Sequence, residues 1–257
     1  GSPKKRPMLN IVEHGTPQDR PPLLIAHGLY GSARNWGVIA KRVERHCLTV
    51  DMRNHGASPW YDSHSYPDLA NDLAQVIEAH GACADVVGHS MGGKAVMMLA
   101  LERPELIRRA VIADISPVTY GHSQQPMIDA MRAIDLSAVA TRGDADRQLQ
   151  AHVDDAGVRA FLLQSLDAKA PAWRLNLDVL SHEMAKITGW PEGAFTPFEG
   201  DILFLSGGRS DYVRPEHRPA IKALFPNAKF AKIPQAGHWL HADTPREFLE
   251  SLKVFLG

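Results

Sequence analysis

Short apolar runs of strand length recur along this chain, at Leu9 to Val12, Leu23 to Ala26, Cys47 to Val50, Asp85 to Val87, Ala110 to Ala113, Ile202 to Leu205 and Lys229 to Ile233. Several are nearly continuous rather than alternating, which is the pattern of a strand covered on both faces. Helical spacing fills the intervals, as in Tyr66 to His80 and Met91 to Arg109. Doubly covered strands alternating with helices leave little choice of architecture: an α/β fold with a mostly parallel central sheet flanked by helices. At 257 residues and 44% hydrophobic, the chain can fill one large core, or a core with an inserted lobe.

Between Ser116 and Gly200 the rhythm changes. No strand pattern is present there, and helical spacing takes over, as in Met127, Met131 and Ile134, or Val158, Phe161, Leu162 and Leu166. Pro117 opens the stretch, and Pro191 and Pro197 punctuate its end. The expectation is a single domain over residues 1–257 with a helical cap, 117–200, inserted above the C-terminal edge of the sheet, where open α/β folds bind ligands.

A formal net charge of −1, with Lys and Arg spread along the chain, speaks against electrostatic capture of nucleic acid or of an anionic membrane. The basic start, Pro3-Lys4-Lys5-Arg6-Pro7, reads as a solvated tail, and Gly1-Ser2 as an expression scar. No early apolar segment reaches signal-peptide or transmembrane length. Cys47 and Cys83 each adjoin an expected strand and read as buried thiols, not as a disulfide framework or a metal site. These features together predict a cytoplasmic protein that needs no metal or cofactor.

Chemistry concentrates at Gly88-His89-Ser90-Met91-Gly92, which a short apolar run enters and a helix-forming run, Lys94 to Leu101, leaves. In that strand–turn–helix setting G-x-S-x-G works as a nucleophile elbow. Small residues let the backbone turn tightly, and the turn projects Ser90 beside a helix N-terminus, whose free N–H groups suit a developing oxyanion. Read more plainly, Ser90 is only an N-cap.

Serine needs a base and a group that orients the base. His238 follows the last expected strand, which opens on the same edge as the elbow. His27, His55 and His89 sit in tight glycine turns, where bonds to the backbone suit them better, and His241 reads as a supporting or surface residue. Two acids compete. Asp114 ends the strand after the elbow helix, and Asp211 lies in the loop after the next strand; either can reach His238, and the chain order Ser, acid, His favours Asp211. For the oxyanion, the amide of Met91 is one donor, and Leu29, in His27-Gly28-Leu29-Tyr30-Gly31, supplies the other.

With these pieces assembled, the chain resembles the α/β-hydrolase superfamily and, within it, the YbfF-type bacterial esterases and their mitochondrial abhydrolase-domain relatives. The likeness runs from HGLYGSARNW at His27 through DMRNHGASP at Asp51, GHSMGGKAVM at Gly88, ADISPVTY at Ala113, WRLNLDVL at Trp173 and GGRSDYV at Gly207 to AGHWLHADTP at Ala236. The resemblance implies an α/β-hydrolase fold and hydrolysis of short-chain esters and activated acyl compounds. It also places the triad acid at Asp114, against the order argument for Asp211.

The expected function is therefore that of a serine carboxylesterase acting on a small acyl ester, with oligomeric state left open. An acyl-CoA thioesterase or a C–C bond hydrolase would use the same triad, and a non-catalytic binding protein of this fold would usually lack one of its members. Of the large apolar residues Phe161, Trp173 and Trp190 in the cap, at least one should line the pocket; Trp190, between Gly189 and Pro191, is the preferred one, while for Trp173 and Phe161 packing of the cap onto the sheet competes with a pocket role. Tyr30 and Trp239, neighbours of Leu29 and His238, complete the expected pocket.

Overall fold

The structure, a computed structural model, describes residues 7–257, so Gly1-Ser2 and the basic run through Arg6 lie outside the described residues. The strands are β1 (Ile11–His14), β2 (Leu23–Ala26), β3 (Cys47–Val50), β4 (Ala84–His89), β5 (Ile107–Ala113), β6 (Leu166–Asp167), β7 (Ala172–Trp173), β8 (Asp201–Gly207) and β9 (Ala228–Ile233). Seven of them form one sheet in the order β1-β3-β2-β4-β5-β8-β9. Within that sheet, among the described residues, only the β1–β3 pair is antiparallel.

Every residue of β2, β3 and β4 is buried, as their unbroken apolar sequences require. Successive side chains serve opposite cores. Leu24, Val86 and Ile112 pack with helices Tyr66–Glu78 and Met91–Glu102, whereas Ile25, Val87 and Val111 pack with helices Gly37–Arg42 and Pro245–Leu256. At the sheet edge β9 exposes Lys229 and Lys232, charges that discourage pairing with another chain.

Several element bounds differ from the sequence reading, and two of the differences have a clear local cause. The first strand begins at Ile11, because pairing with β3 sets its register, Ile11 opposite Val50 and His14 opposite Cys47; Leu9 instead packs in the core ahead of it. The helix expected to run from Met91 to Arg109 ends at Glu102. Pro104 explains the stop: it forces Arg103 out of helical geometry, to φ −135°, and β5 starts soon after at Ile107.

Between β5 and β8 the chain leaves the main sheet and runs through helices Gln125–Arg132, Arg142–Leu149, Ala156–Leu163, Leu177–His182 and Met184–Thr188. The stretch also holds the β6–β7 hairpin, in which Leu166 pairs with Trp173. That hairpin was not expected, since two residues a side are too short to show an alternating pattern. Among the described residues no helix is long and apolar enough to cross a membrane.

Candidate active site

The route from β4 into helix Met91–Glu102 leaves no room for side chains at its flanks. A Cβ on Gly88 would stand 2.3 Å from the Gly92 carbonyl oxygen, and one on Gly92 would stand 2.3 Å from that of Ala26. Ser90 itself sits at φ 55°, ψ −117°, a conformation that costs a non-glycine residue roughly 1–3 kcal/mol. Its amide still donates to Ala113 O at 3.1 Å, so the β4–β5 ladder anchors the turn.

His238 lies after β9, and its Nε2 is 3.1 Å from Ser90 Oγ. Its Nδ1 is 2.7 Å from Asp114 Oδ2. Asp114 is fully buried at 0% exposure, yet its oxygens are satisfied: Oδ1 accepts from the Gly207 amide at 3.0 Å, and Oδ2 accepts from Ser210 Oγ as well as from His238. Asp211 is exposed, and its backbone carbonyl accepts from Arg214 Nε at 3.1 Å. The loop after β8 thus brings its backbone and Ser210 to the site, while the carboxylate beside His238 comes from the end of β5.

The histidine is held from three further directions. His89 Nε2–H donates to the His238 carbonyl at 2.7 Å, Tyr212 stacks on the imidazole with centroids 3.8 Å apart, and Trp239 flanks it. Sequence reasoning missed Ser210 and Tyr212. Their signal was a serine and an aromatic on either side of Asp211, in a loop read only for its acid.

Leu29 and Met91, the expected oxyanion donors, both face the cavity at Ser90, and among the described residues neither amide has a hydrogen-bond partner. The Leu29 loop is pinned around that amide. His27 Nδ1–H donates to Gly28 O at 2.7 Å, Gly31 N donates back to the same carbonyl at 3.0 Å, and Tyr30 N donates to His55 Nε2 at 3.0 Å.

The cavity has a volume of about 290 Å³ and is walled chiefly by apolar groups, among them Leu29, Met127, Val158, Phe161 and Trp239. Tyr30 lines it too. Trp190 does not: its ring turns away to pack on Tyr66 and Phe195, at 6.3 and 6.2 Å between centroids. Trp173 is likewise engaged elsewhere, its indole N–H donating to Met131 O at 3.1 Å. Phe161 takes the wall position instead, packed 5.5 Å from Trp239. Spacing could not separate these aromatics, because which one faces the sheet depends on how the inserted helices lie.

Residues 23–251 match the model of the alpha/beta hydrolase family. The chain belongs to the α/β-hydrolase family. It is 42% identical over 249 residues to a mouse (Mus musculus) protein named sn-1-specific diacylglycerol lipase ABHD11, covering 92% of this chain and 81% of that protein. To the esterase YbfF of Escherichia coli K12 it is 37% identical, over 91% and 92% of the two chains. Among solved structures, a marine microorganism esterase superposes with a TM-score of 0.91 at 35% identity, over 96% of this chain and 99% of that one. The chain is accordingly a hydrolase of the YbfF-type branch, with that fold.

In this α/β-hydrolase the buried imidazoles are structural. Burial lowers the pKa of His27, pushes His55 and His89 well below 6.5, and brings His64 and His241 to about 3. Neutral rings fit their bonds: the Nε2 of His27 and of His55 accept from Met52 N and Tyr30 N. In the unfolded chain these groups take up protons near pH 6.5, and in the folded one only far lower. Stability is therefore full above pH 6.5 and is lost as pH falls toward 3, at up to about 1.4 kcal/mol per pH unit for each group. The urea midpoint should drop steadily from pH 7 to pH 4; a constant midpoint over that range contradicts the neutral assignment.

Proposed function

We propose that the chain is a serine carboxylesterase that hydrolyses short- to medium-chain acyl esters through an acyl-enzyme. The observation that carries this reading is the unbroken hydrogen-bonded series Ser90–His238–Asp114 at the mouth of an apolar cavity of about 290 Å³. His238 Nε2 takes the proton of Ser90 Oγ as the oxygen attacks the acyl carbon, and Leu29 and Met91 amides receive the oxyanion. The imidazolium then returns its proton to the departing alcohol, and water repeats the sequence to free the acid. Asp114 keeps the proton on Nδ1, so that Nε2 is the basic nitrogen, and stabilises the cation that forms. Residues 117–200 serve as the cap of a single domain, supplying Met127, Val158 and Phe161 to the acyl wall. No step calls for a metal or cofactor.

Relatives named esterase and diacylglycerol lipase support ester chemistry. The same triad would serve thioester or C–C bond hydrolysis, and the substrate decides between them. Comparing kcat/KM over p-nitrophenyl acetate, butyrate, octanoate and palmitate, a diacylglycerol, acyl-CoA thioesters and a β-diketone should show a maximum at butyrate or octanoate. A maximum on the thioesters or the diketone overturns the carboxylesterase reading.

A further inference from the structure

Lys94 is a charged residue with an almost fully buried side chain. It sits on the elbow helix one turn beyond Ser90, its amide donating to Ser90 O at 3.1 Å, so its side chain emerges on the same helix face as the nucleophile. It lines the catalytic cavity at only 1% exposure. Among the described residues no carboxylate lies within ion-pair distance of it. Instead its Nζ donates to Val118 O at 2.8 Å, Thr188 O at 3.2 Å and Gly189 O at 2.6 Å. The rings of Tyr120 and Tyr66 face it at 4.9 and 5.7 Å.

These acceptors have one thing in common. Val118 lies where the inserted segment leaves β5, and Thr188 and Gly189 lie where its last helix, Met184–Thr188, ends. Helix ends leave carbonyls without partners. Here the gap is filled from outside the helix: Tyr66 Oη donates to Ile187 O at 2.5 Å, Tyr120 N to Thr188 O at 2.9 Å, and Lys94 Nζ to that same Thr188 carbonyl and to Gly189 O. An ammonium has three N–H donors, and all three are used. One side chain thus ties both stems of the insert to the helix that carries the nucleophile. Ile187 and Thr188 belong to the gripped stem and also wall the cavity.

We propose that Lys94 is a positioning residue that holds both stems of the insert against the elbow helix, and so sets the depth of the acyl cavity and the discrimination against long acyl chains. This rests on the esterase reading of the same site. Burial brings the Lys94 pKa from 10.5 down to about 7, and the titratable groups facing it, Tyr66 and Tyr120, are both raised and stay neutral. Above that pH the neutral amine offers two N–H donors to three carbonyls, and one stem contact is released.

The test measures kcat and KM for p-nitrophenyl butyrate and decanoate from pH 6 to pH 9 in the wild type and in Lys94→Met, which keeps an unbranched side chain only one atom shorter and removes every donor. The ratio between the two esters cancels any pH effect on the chemical steps, which the two esters share. In the wild type the preference for butyrate should weaken by about tenfold from pH 6 to pH 9, carried by KM for decanoate. Lys94→Met should show the weakened preference at every pH. If that variant does not fold, the wild-type pH series decides alone. A ratio that is constant with pH, or unchanged in a folded Lys94→Met, overturns the proposal. So does a preference for acyl chains ending in a carboxylate that Lys94→Met abolishes, since Lys94 would then bind substrate. Labelling of wild-type Ser90 by a small fluorophosphonate separates these outcomes from failure of the esterase reading, in which no labelling occurs.

Discussion

Replacing Ser90 with alanine should lower kcat for acyl-ester hydrolysis by about 10⁶, the scale on which a serine hydrolase loses turnover with its nucleophile. The fold should survive. Alanine removes only a hydroxyl whose partner is His238 Nε2 at 3.1 Å, and the strained backbone at φ 55° is set by the close packing of Gly88 and Gly92, not by the side chain. A small residual rate should remain, because the free amides of Leu29 and Met91 can still polarise a bound ester. Covalent labelling by a fluorophosphonate should disappear together with turnover. A purified, folded Ser90→Ala protein with near-normal kcat would remove the triad from the mechanism, and wild-type protein that neither labels nor turns over any acyl compound would point to a binding protein.

Asp114→Asn should lower kcat by about 10⁴. The carboxylate lies at full burial with Gly207 N, Ser210 Oγ and His238 Nδ1 around it. An amide in that place must turn one N–H₂ toward a donor, and the imidazole escapes the conflict by moving its proton to Nε2, where it can no longer accept from Ser90. Asp211→Asn should cost only a few-fold, since an exposed carboxylate acts on the site mainly through a screened field. Measuring both single variants and the double, with thermal melts to exclude unfolding, tests the assignment. An inactive Asp211→Asn beside an active Asp114→Asn reverses it, and a double variant far worse than the product of the singles reveals a shared role.

The two acids show where reading a sequence stops. Both lie at the ends of strands standing between the elbow strand and the histidine, so order and spacing fit either one. What separates them is backbone direction. Asp114 takes φ 54° at the end of β5, and its amide donates to Leu205 O at 2.8 Å. From there its side chain points beneath the β8 loop, to the Gly207 amide and toward His238, while Asp211 lies further along that loop at the surface. No propensity of aspartate predicts this. The aromatic residues of the insert gave the same lesson, Phe161 reaching the cavity while Trp190 packs on Tyr66.

The amino-acid sequence by itself determined the sheet strands, the parallel sheet, the elbow at Ser90 and the histidine after the last strand. These follow from local rules: unbroken apolar runs must be covered on both faces, and a turn this tight admits only glycine two positions to either side of the serine. Tertiary structure alone decided which acid meets His238, which aromatics wall the cavity, and that Lys94 is spent on the stems of the insert. Each of these depends on groups far apart in the chain arriving in contact, at about 3 Å for the hydrogen-bonded ones, and a one-dimensional pattern carries periodicity but not those distances.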